Sequence, residues 1–185
     1  MAYDRDALLE KLAMAMVTNP GITMQELAES SGISKASLHR IYSTKENLQA
    51  IIVDRVRSVF DEIREAIQNP REDYIRALKE LVAIHCRNSS YVLFIGRDDF
   101  FVMLREEEWN GYYNDLEGFF REGQERGLLT LDFSAGVLGN IFISLVTGLL
   151  ESCLWGHLAE REREKTIFRA LIGGIGKQGT KMCSG

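Results

Sequence analysis

The sequence predicts an all-α protein, an N-terminal three-helix bundle containing a helix-turn-helix followed by a larger helical domain, with boundaries at 1–46 and 47–185. Three observations predict it. Apolar residues recur at three- and four-residue spacing through most of the chain. Its 185 residues hold only two prolines and no Gly/Ser-rich linker. Thr23 to Lys45 spells two short capped helices joined by a glycine, then a third helix start.

Ala7 to Val17 carries Leu8, Leu12 and Ala15/Met16 on one face, so a first helix covers the two that follow. Thr23 with Glu26 three residues on fits a capping box, and a helix begins at Met24 with Leu27 and Ala28 inward. Gly32 stands where the chain reverses through a positive φ. Ser34 caps the next helix, whose Leu38, Ile41 and Tyr42 share an inward face. Lys35, Ala36, Ser37, His39 and Arg40 are left outside, a set of donors, small residues and cations able to approach base edges and phosphates in a major groove.

Lys45 to about Asn69 reads as one long helix through Leu48, Ile52, Val56, Val59/Phe60 and Ile63, with Pro70 at its end. Glu72 to Arg87 places Ile75, Leu78, Val82 and His85 or Cys86 along one side, and Asn88-Ser-Ser90 breaks it. Tyr91 to about Leu104 is densely apolar. Glu106-Glu-Glu108 suits the positive end of a helix dipole and starts a helix that Gly127 stops.

The penultimate helix, about Ser134 to Trp155, repeats Gly136, Asn140, Ser144, Gly148 and Ser152 every four residues, a row of small side chains along which another helix can approach closely. The last, Glu160 to Ile175, presents Ile167/Phe168, Leu171/Ile172 and Ile175. Paired with copies from a second chain, these two helices make a four-helix interface; packing inside one monomer uses the same pattern. Tyr91, Phe94, Phe101, Met103, Trp109, Tyr112, Tyr113 and Leu116, with Phe142 and Val146 facing them, are enough to line an apolar cavity, and a solid core uses the same residues. Asp98, Asn114 and Arg105 are candidate orienters of a ligand held there.

The formal net charge of −5 falls entirely on residues 61–185, because residues 1–60 balance seven basic against seven acidic side chains. Residues 33–57 hold five basic and two acidic ones, a local cationic face. No secretory signal precedes the first helix, and Cys86, Cys153 and Cys183 lack framework spacing, which fits a reducing cytoplasm. Phe133 to Leu150 carries no charge over eighteen residues, at the lower edge of membrane-spanning length. Asn140, Ser144 and Thr147 interrupt it and Glu151 closes it, against a membrane role. Cys153 with His157, and His85 beside Cys86, lack the spacing of a structural zinc site, so no metal is expected. No catalytic set emerges beyond His85 with Asp98 or Asp99 as a conceivable base, and the chain is not expected to be an enzyme. A helical sensor switched by oxidation of Cys86 or Cys153 is the other reading.

Gly32-Ile-Ser-Lys-Ala-Ser-Leu-His-Arg-Ile-Tyr-Ser-Thr-Lys-Glu46, followed by the apolar helix Leu48 to Val53, resembles the signature of TetR-type transcriptional regulators, usually G-V-S-K-G-T-L-Y-x-Y-F-x-S-K-E. The resemblance implies base contacts from Lys35 and Ala36, phosphate contacts from Ser37 and Lys45, and a groove-edge contact from Gln25. The DNA-facing set is then Thr23, Gln25, Ser34, Lys35, Ala36, Ser37, His39, Arg40, Tyr42 and Lys45. It also implies a homodimer built on the last two helices, a double-stranded operator, an effector pocket in the aromatic region and no cofactor. His39 stands where the family has tyrosine, Ile41 where it has an aromatic or histidine, and Thr18-Asn-Pro-Gly-Ile22 is shorter than its usual loop.

Overall fold

The computed structural model describes residues 4–68 and 73–176, the side chains of Asp98 and Asp99 excepted. Its helices are α1 (Arg5–Thr18), α2 (Met24–Ser31), α3 (Lys35–Tyr42), α4 (Lys45–Gln68), α5 (Tyr74–Arg87), α6 (Ser89–Ile95), α7 (Asp98–Phe101), α8 (Glu106–Glu125), α9 (Ala135–Leu154) and α10 (Arg163–Ile175), with a 3₁₀ turn at Glu160–Glu162 before the last. Among the described residues the only extended pairing is an isolated bridge between Leu129 and Gly176, which ties the end of α8 to the end of α10. The expected ends at Asn69, Pro70 and Glu72 lie outside the described residues, as does Cys183.

The chain forms two compact units, Met1–Phe60 with Asn88–Arg105, and Asp61–Arg87 with Glu106–Gly185. This division differs from the expected 46/47 boundary, because α4 as far as Phe60 and the short helices α6 and α7 cluster with the helix-turn-helix. The reason lies in α1. Leu9, Ala13 and Val17 are buried as well as the expected Leu8, Leu12 and Met16, since α6 packs on α1 alongside α2. Arg97, between α6 and α7, donates to the Val17 carbonyl at 3.1 Å, where the last turn of α1 has no helical partner to offer. Within the same unit Arg55 on α4 donates to the Asn88 side chain at 3.1 Å. That single residue, not Asn88-Ser-Ser90, separates α5 from α6, because Ser89 is already helical.

The turns are those the caps dictate. Thr23 and Glu26 close a full capping box, and Gly32 ends α2 at φ 72° and ψ 27°, the left-handed cap a β-carbon disfavours. In the second unit α9 packs on α8 and α10, and α10 also on α5. Gly123 admits Tyr74, whose hydroxyl donates to the Phe119 carbonyl at 3.2 Å and would clash with any β-carbon there.

Gly32→Ala should therefore cost about 1 kcal/mol from the left-handed geometry alone. Chemical denaturation of the full chain measures it; an unchanged midpoint would mean the turn relaxes to negative φ.

Candidate nucleic-acid interface and helical core

The face of α3 follows from its two buried residues. Leu38 is fully buried and Tyr42 is 5% exposed, so the helix is plugged into the unit and turns Lys35, Ala36, His39 and Arg40 to solvent. Tyr42 is thus a correction to the DNA-facing set: its ring is core, and burial holds its hydroxyl pKa above the ordinary range.

Two more members of that set serve the caps. Thr23 accepts from Glu26 N–H at 3.3 Å and gives both its own N–H and its hydroxyl to the Glu26 carboxylate at 2.7 Å. These bonds hold the carboxyl below its usual range, and they leave Thr23 no free donor. Ser34 accepts from Ser37 N–H at 3.1 Å and donates its hydroxyl to Ser37 Oγ at 2.9 Å. Ser37 receives that proton and keeps its own to give, which suits a phosphate oxygen. Gln25 is exposed and donates to Glu29 at 2.6 Å. Lys45 is half-buried and donates to the Pro20 carbonyl at 3.1 Å, fastening the start of α4 to the loop before α2.

Between α3 and α4 the chain makes a turn that sequence reasoning missed. Ser43 has φ 61° and ψ −62°, and Thr44 N–H donates back to the Tyr42 carbonyl at 2.7 Å, a γ-turn strained for a side-chain-bearing residue. Asn47 clamps it, giving its side-chain amide to the same Tyr42 carbonyl at 2.8 Å and its N–H to Thr44 Oγ1 at 3.1 Å. The angle between the two helices is set by this cluster. Thr44 as N-cap was the available signal.

The proposed ligand-lining residues fall into both units. Tyr91 and Phe94 are buried in the first, where Phe94 stacks on Phe100 at 4.0 Å and Arg55 lies 5.5 Å from the Tyr91 ring centroid. Phe101 is exposed and Met103 half-buried. The second unit brings together Trp109, Tyr112, Tyr113, Leu116, Phe142 and Val146 on α8 and α9, with Trp109 and Tyr113 edge to face at 5.0 Å. Asn114 and Arg105 point to solvent, and the Asp98 side chain lies outside the description.

At the centre of that second cluster is His85, expected as a conceivable base and found as a core residue. Its Nδ1 faces the Leu81 carbonyl at 2.7 Å and its Nε2 the Tyr112 hydroxyl at 2.8 Å, with Phe142 edge-on at 5.0 Å. A carbonyl only accepts, so the proton sits on Nδ1 and Tyr112 donates to Nε2. Burial lowers the His85 pKa from 6.5 to about 4, against the opposing pull of the Leu81 bond. Both nitrogens are engaged and the ring is held neutral, which does not suit general-base work.

The small-residue row and the last helix divide. Asn140, Ser144 and Gly148 face outward from α9, with nothing within 4 Å of a β-carbon built on Gly148, and Ser152 is half-buried. A β-carbon built on Gly136 would lie 3.3 Å from the Glu117 carboxylate. Leu138, Phe142, Val146 and Leu150 form the inward face. On α10, however, Ile167, Leu171 and Ile175 are buried within the chain, and Phe168 is half-buried with Lys79 Nζ 5.3 Å from its ring centroid. Ile167, Leu171 and Ile175 are corrected from interface to core, because α10 lays its apolar stripe on α5 and α9 of its own chain. α9 is long and apolar enough to cross a membrane, by length and composition alone. Burial raises the thiol of Cys86 to about 11 and also that of Cys153. Neither is poised as a thiolate, which disfavours the oxidation switch. Among the described residues no His/Cys/Asp/Glu group could hold a metal ion.

No protein-family model matches the chain. A curated relative, the HTH-type transcriptional regulator NfxB of Pseudomonas aeruginosa (strain ATCC 15692), is 31% identical over 173 residues, covering 91% of this chain and 92% of that protein. Two solved structures share the fold at lower identity. The TetR family regulator PfmR of Thermus thermophilus is 17% identical with a TM-score of 0.59, over 92% of this chain and 95% of its own. The ketosteroid regulator KstR2 of Mycobacterium tuberculosis is 18% identical with a TM-score of 0.68, over 96% and 97%.

His85 makes stability depend on pH. The unfolded chain takes up a proton near the ordinary value of 6.5, whereas the folded chain does so only near 4. The contribution is complete above about pH 6.5 and declines as pH falls through that window, by about 1.4 kcal/mol per pH unit. Denaturation midpoints between pH 7 and 5 should fall for the native chain and flatten in His85→Phe; parallel curves would contradict the assignment.

Proposed function

This chain belongs to the TetR-type family of helix-turn-helix transcriptional regulators, and we propose that it acts as a homodimeric repressor released from a palindromic operator by a small apolar or aromatic effector. The observation that carries the reading is the orientation of α3, with Leu38 and Tyr42 inward and Lys35, Ala36, His39 and Arg40 bare. Lys35 and Ala36 reach base edges, Ser37 and Arg40 meet phosphates, and His39 offers a ring nitrogen in place of a hydroxyl. Gln25, bare on α2, touches the groove edge. Lys45 holds a backbone phosphate from its place beside Pro20. Asn47 and the Ser43 turn fix the angle at which α3 is presented.

The dimer rests on α9. A helix this apolar and this little covered needs a partner, and its open side carries Asn140, Ser144 and Gly148 together with Glu151. Lipid would leave those polar groups unpaired, whereas a second copy of the small-residue row packs closely and pairs them. Val137 and Trp155, both exposed, extend the same helix toward its ends. On α10 the exposed residues Ala170, Gly173 and Gly174 replace Ile167, Leu171 and Ile175 as the side offered to a partner. A twofold dimer then sets the two recognition helices about 34–36 Å apart, one turn of duplex. The aromatic cluster of α8 and α9 is the effector site, and its occupation disfavours the DNA-binding form by about 1–3 kcal/mol. The chain works in the cytoplasm, where its DNA is.

Selection of bound sequences from random duplexes should return a palindrome with half-sites one helical turn apart; an asymmetric or absent consensus overturns the dimeric reader. On that operator Lys35→Ala should relax preference at one base position at a cost of about 1–3 kcal/mol. Lys45→Ala should weaken all sequences alike and reduce the salt slope by about one unit. Equal, sequence-blind losses would remove Lys35 as a specificity residue. Gly148→Leu should halve the sedimentation mass and weaken operator binding, and an unchanged mass would reject the α9 interface.

A further inference from the structure

Among the described residues of the second unit, His85 is the one buried polar side chain apart from tyrosine hydroxyls, and it lies within an aromatic wall. Its proton is committed to the Leu81 carbonyl, so Nε2 is left as an acceptor pointing across the core to α8. An acceptor in such surroundings is destabilising if left without a donor, because it forfeits its hydration and gains nothing in return. Tyr112 supplies the donor. A ring of similar size bearing its own hydroxyl or N–H can take that place, while one without a donor cannot do so without stranding the acceptor.

The wall that carries Tyr112 is weak on both sides of it. Gly111 and Gly118 lie inside α8, where glycine weakens a helix relative to alanine. No close approach requires either: a β-carbon at Gly118 meets nothing within 4 Å, and at Gly111 only the Arg64 guanidinium at 3.8 Å. Gly123 on the same helix is different, being imposed by Tyr74. The segment between the two unforced glycines is the part of α8 best able to yield.

We propose that His85 Nε2 is the polar anchor of the effector site, and that the effector class is a neutral planar aromatic molecule with a hydroxyl or N–H donor that enters by displacing Tyr112. The flat shape follows from Phe142, edge-on to the imidazole at 5.0 Å, with Phe120 5.8 Å beyond it. Neutrality follows from the cost of bringing a charge into this core. The inference rests on the effector-responsive reading above and adds the chemistry of recognition to it.

The test uses two probes built on one ring system, 2-naphthol and 2-methoxynaphthalene, titrated against the full chain by calorimetry and against its complex with the selected operator. 2-Naphthol should bind at least about tenfold more tightly than its methyl ether, the difference of one buried hydrogen bond. Tyr112→Phe removes the internal competitor and should raise the affinity for both probes about tenfold, since neither then has to break the Tyr112 bond, while the tenfold preference for 2-naphthol persists. A purely structural role for the Tyr112 hydroxyl predicts no such gain. His85→Phe should erase the discrimination; if that variant does not fold, the response of Tyr112→Phe decides alone. Equal affinities for the two probes, or no gain in Tyr112→Phe, overturn the anchor. Equal binding that still lifts the protein from its operator sinks the anchor and leaves the effector-responsive reading standing. Donor-selective binding without effect on the operator supports the anchor and overturns the reading beneath it.

Discussion

An eight-residue helix is too short to hold itself together in water, and α3 has the shape it has because two of its side chains are taken inward. Burying Leu38 and most of Tyr42 removes enough apolar surface to contribute a few kcal/mol, on the order of 1.5–3 per side chain. The caps at Ser34 and at the Ser43 turn add satisfied backbone groups at both ends. Together they leave the helix one rotational setting. The cationic residues are outside as a consequence of which residues are inside, and the cationic character of the surface is inherited from the core.

The same logic, run on the longer helices, gives two outcomes. α9 uses one side fully, placing Leu138, Phe142, Val146 and Leu150 against its neighbours, and leaves the opposite row of small residues open. α10 spends its apolar stripe on α5 and α9, which leaves Glu164, Lys165 and Arg169 outside together with Ala170, Gly173 and Gly174. Small residues thus dominate the open side of α9 and only the last turns of α10. A surface of that kind gains little from solvent and much from close backbone approach, which is the ground for separating a proposed interface from the core along these two elements.

Local chemistry is readable from the sequence. Caps, the glycine turn and the 3.6-residue stripes each depend on residues within one helical turn, and α2, α3, α4 and α9 stand within a residue or two of where these signals put them. Periodicity tells that a face is buried and is silent about what buries it. Ile167, Leu171 and Ile175 read as contacts to a second chain for that reason, and α6 as part of the wrong unit, because the packing of α6 on α1 joins segments about eighty residues apart in sequence. Tyr42 carries two readings, inward by spacing and outward by family position, and spacing agrees with its burial. His85 is legible only as a titratable residue on an apolar face. The bond to Tyr112 across 27 residues that defines it has no local signature.

How an occupied core would loosen operator binding can be weighed by magnitude. On α8, Asp115 follows Tyr112 by one turn and accepts from Arg64 at 2.8 Å and from Gln68 at 3.2 Å, both on α4, the helix that begins at Lys45. The ion pair is partly solvated, with the Arg64 side chain 40% exposed and Asp115 20%. Pairs of this kind contribute about 0.2–1 kcal/mol. A hundredfold loss of operator affinity needs about 2.7 kcal/mol, more than the pair can supply by breaking. Under the proposed effector reading the link to α4 would pass on a shift of α8 without driving it, and the driving free energy would come from differential burial in the aromatic core, where one large apolar side chain is worth about 1.5–3 kcal/mol.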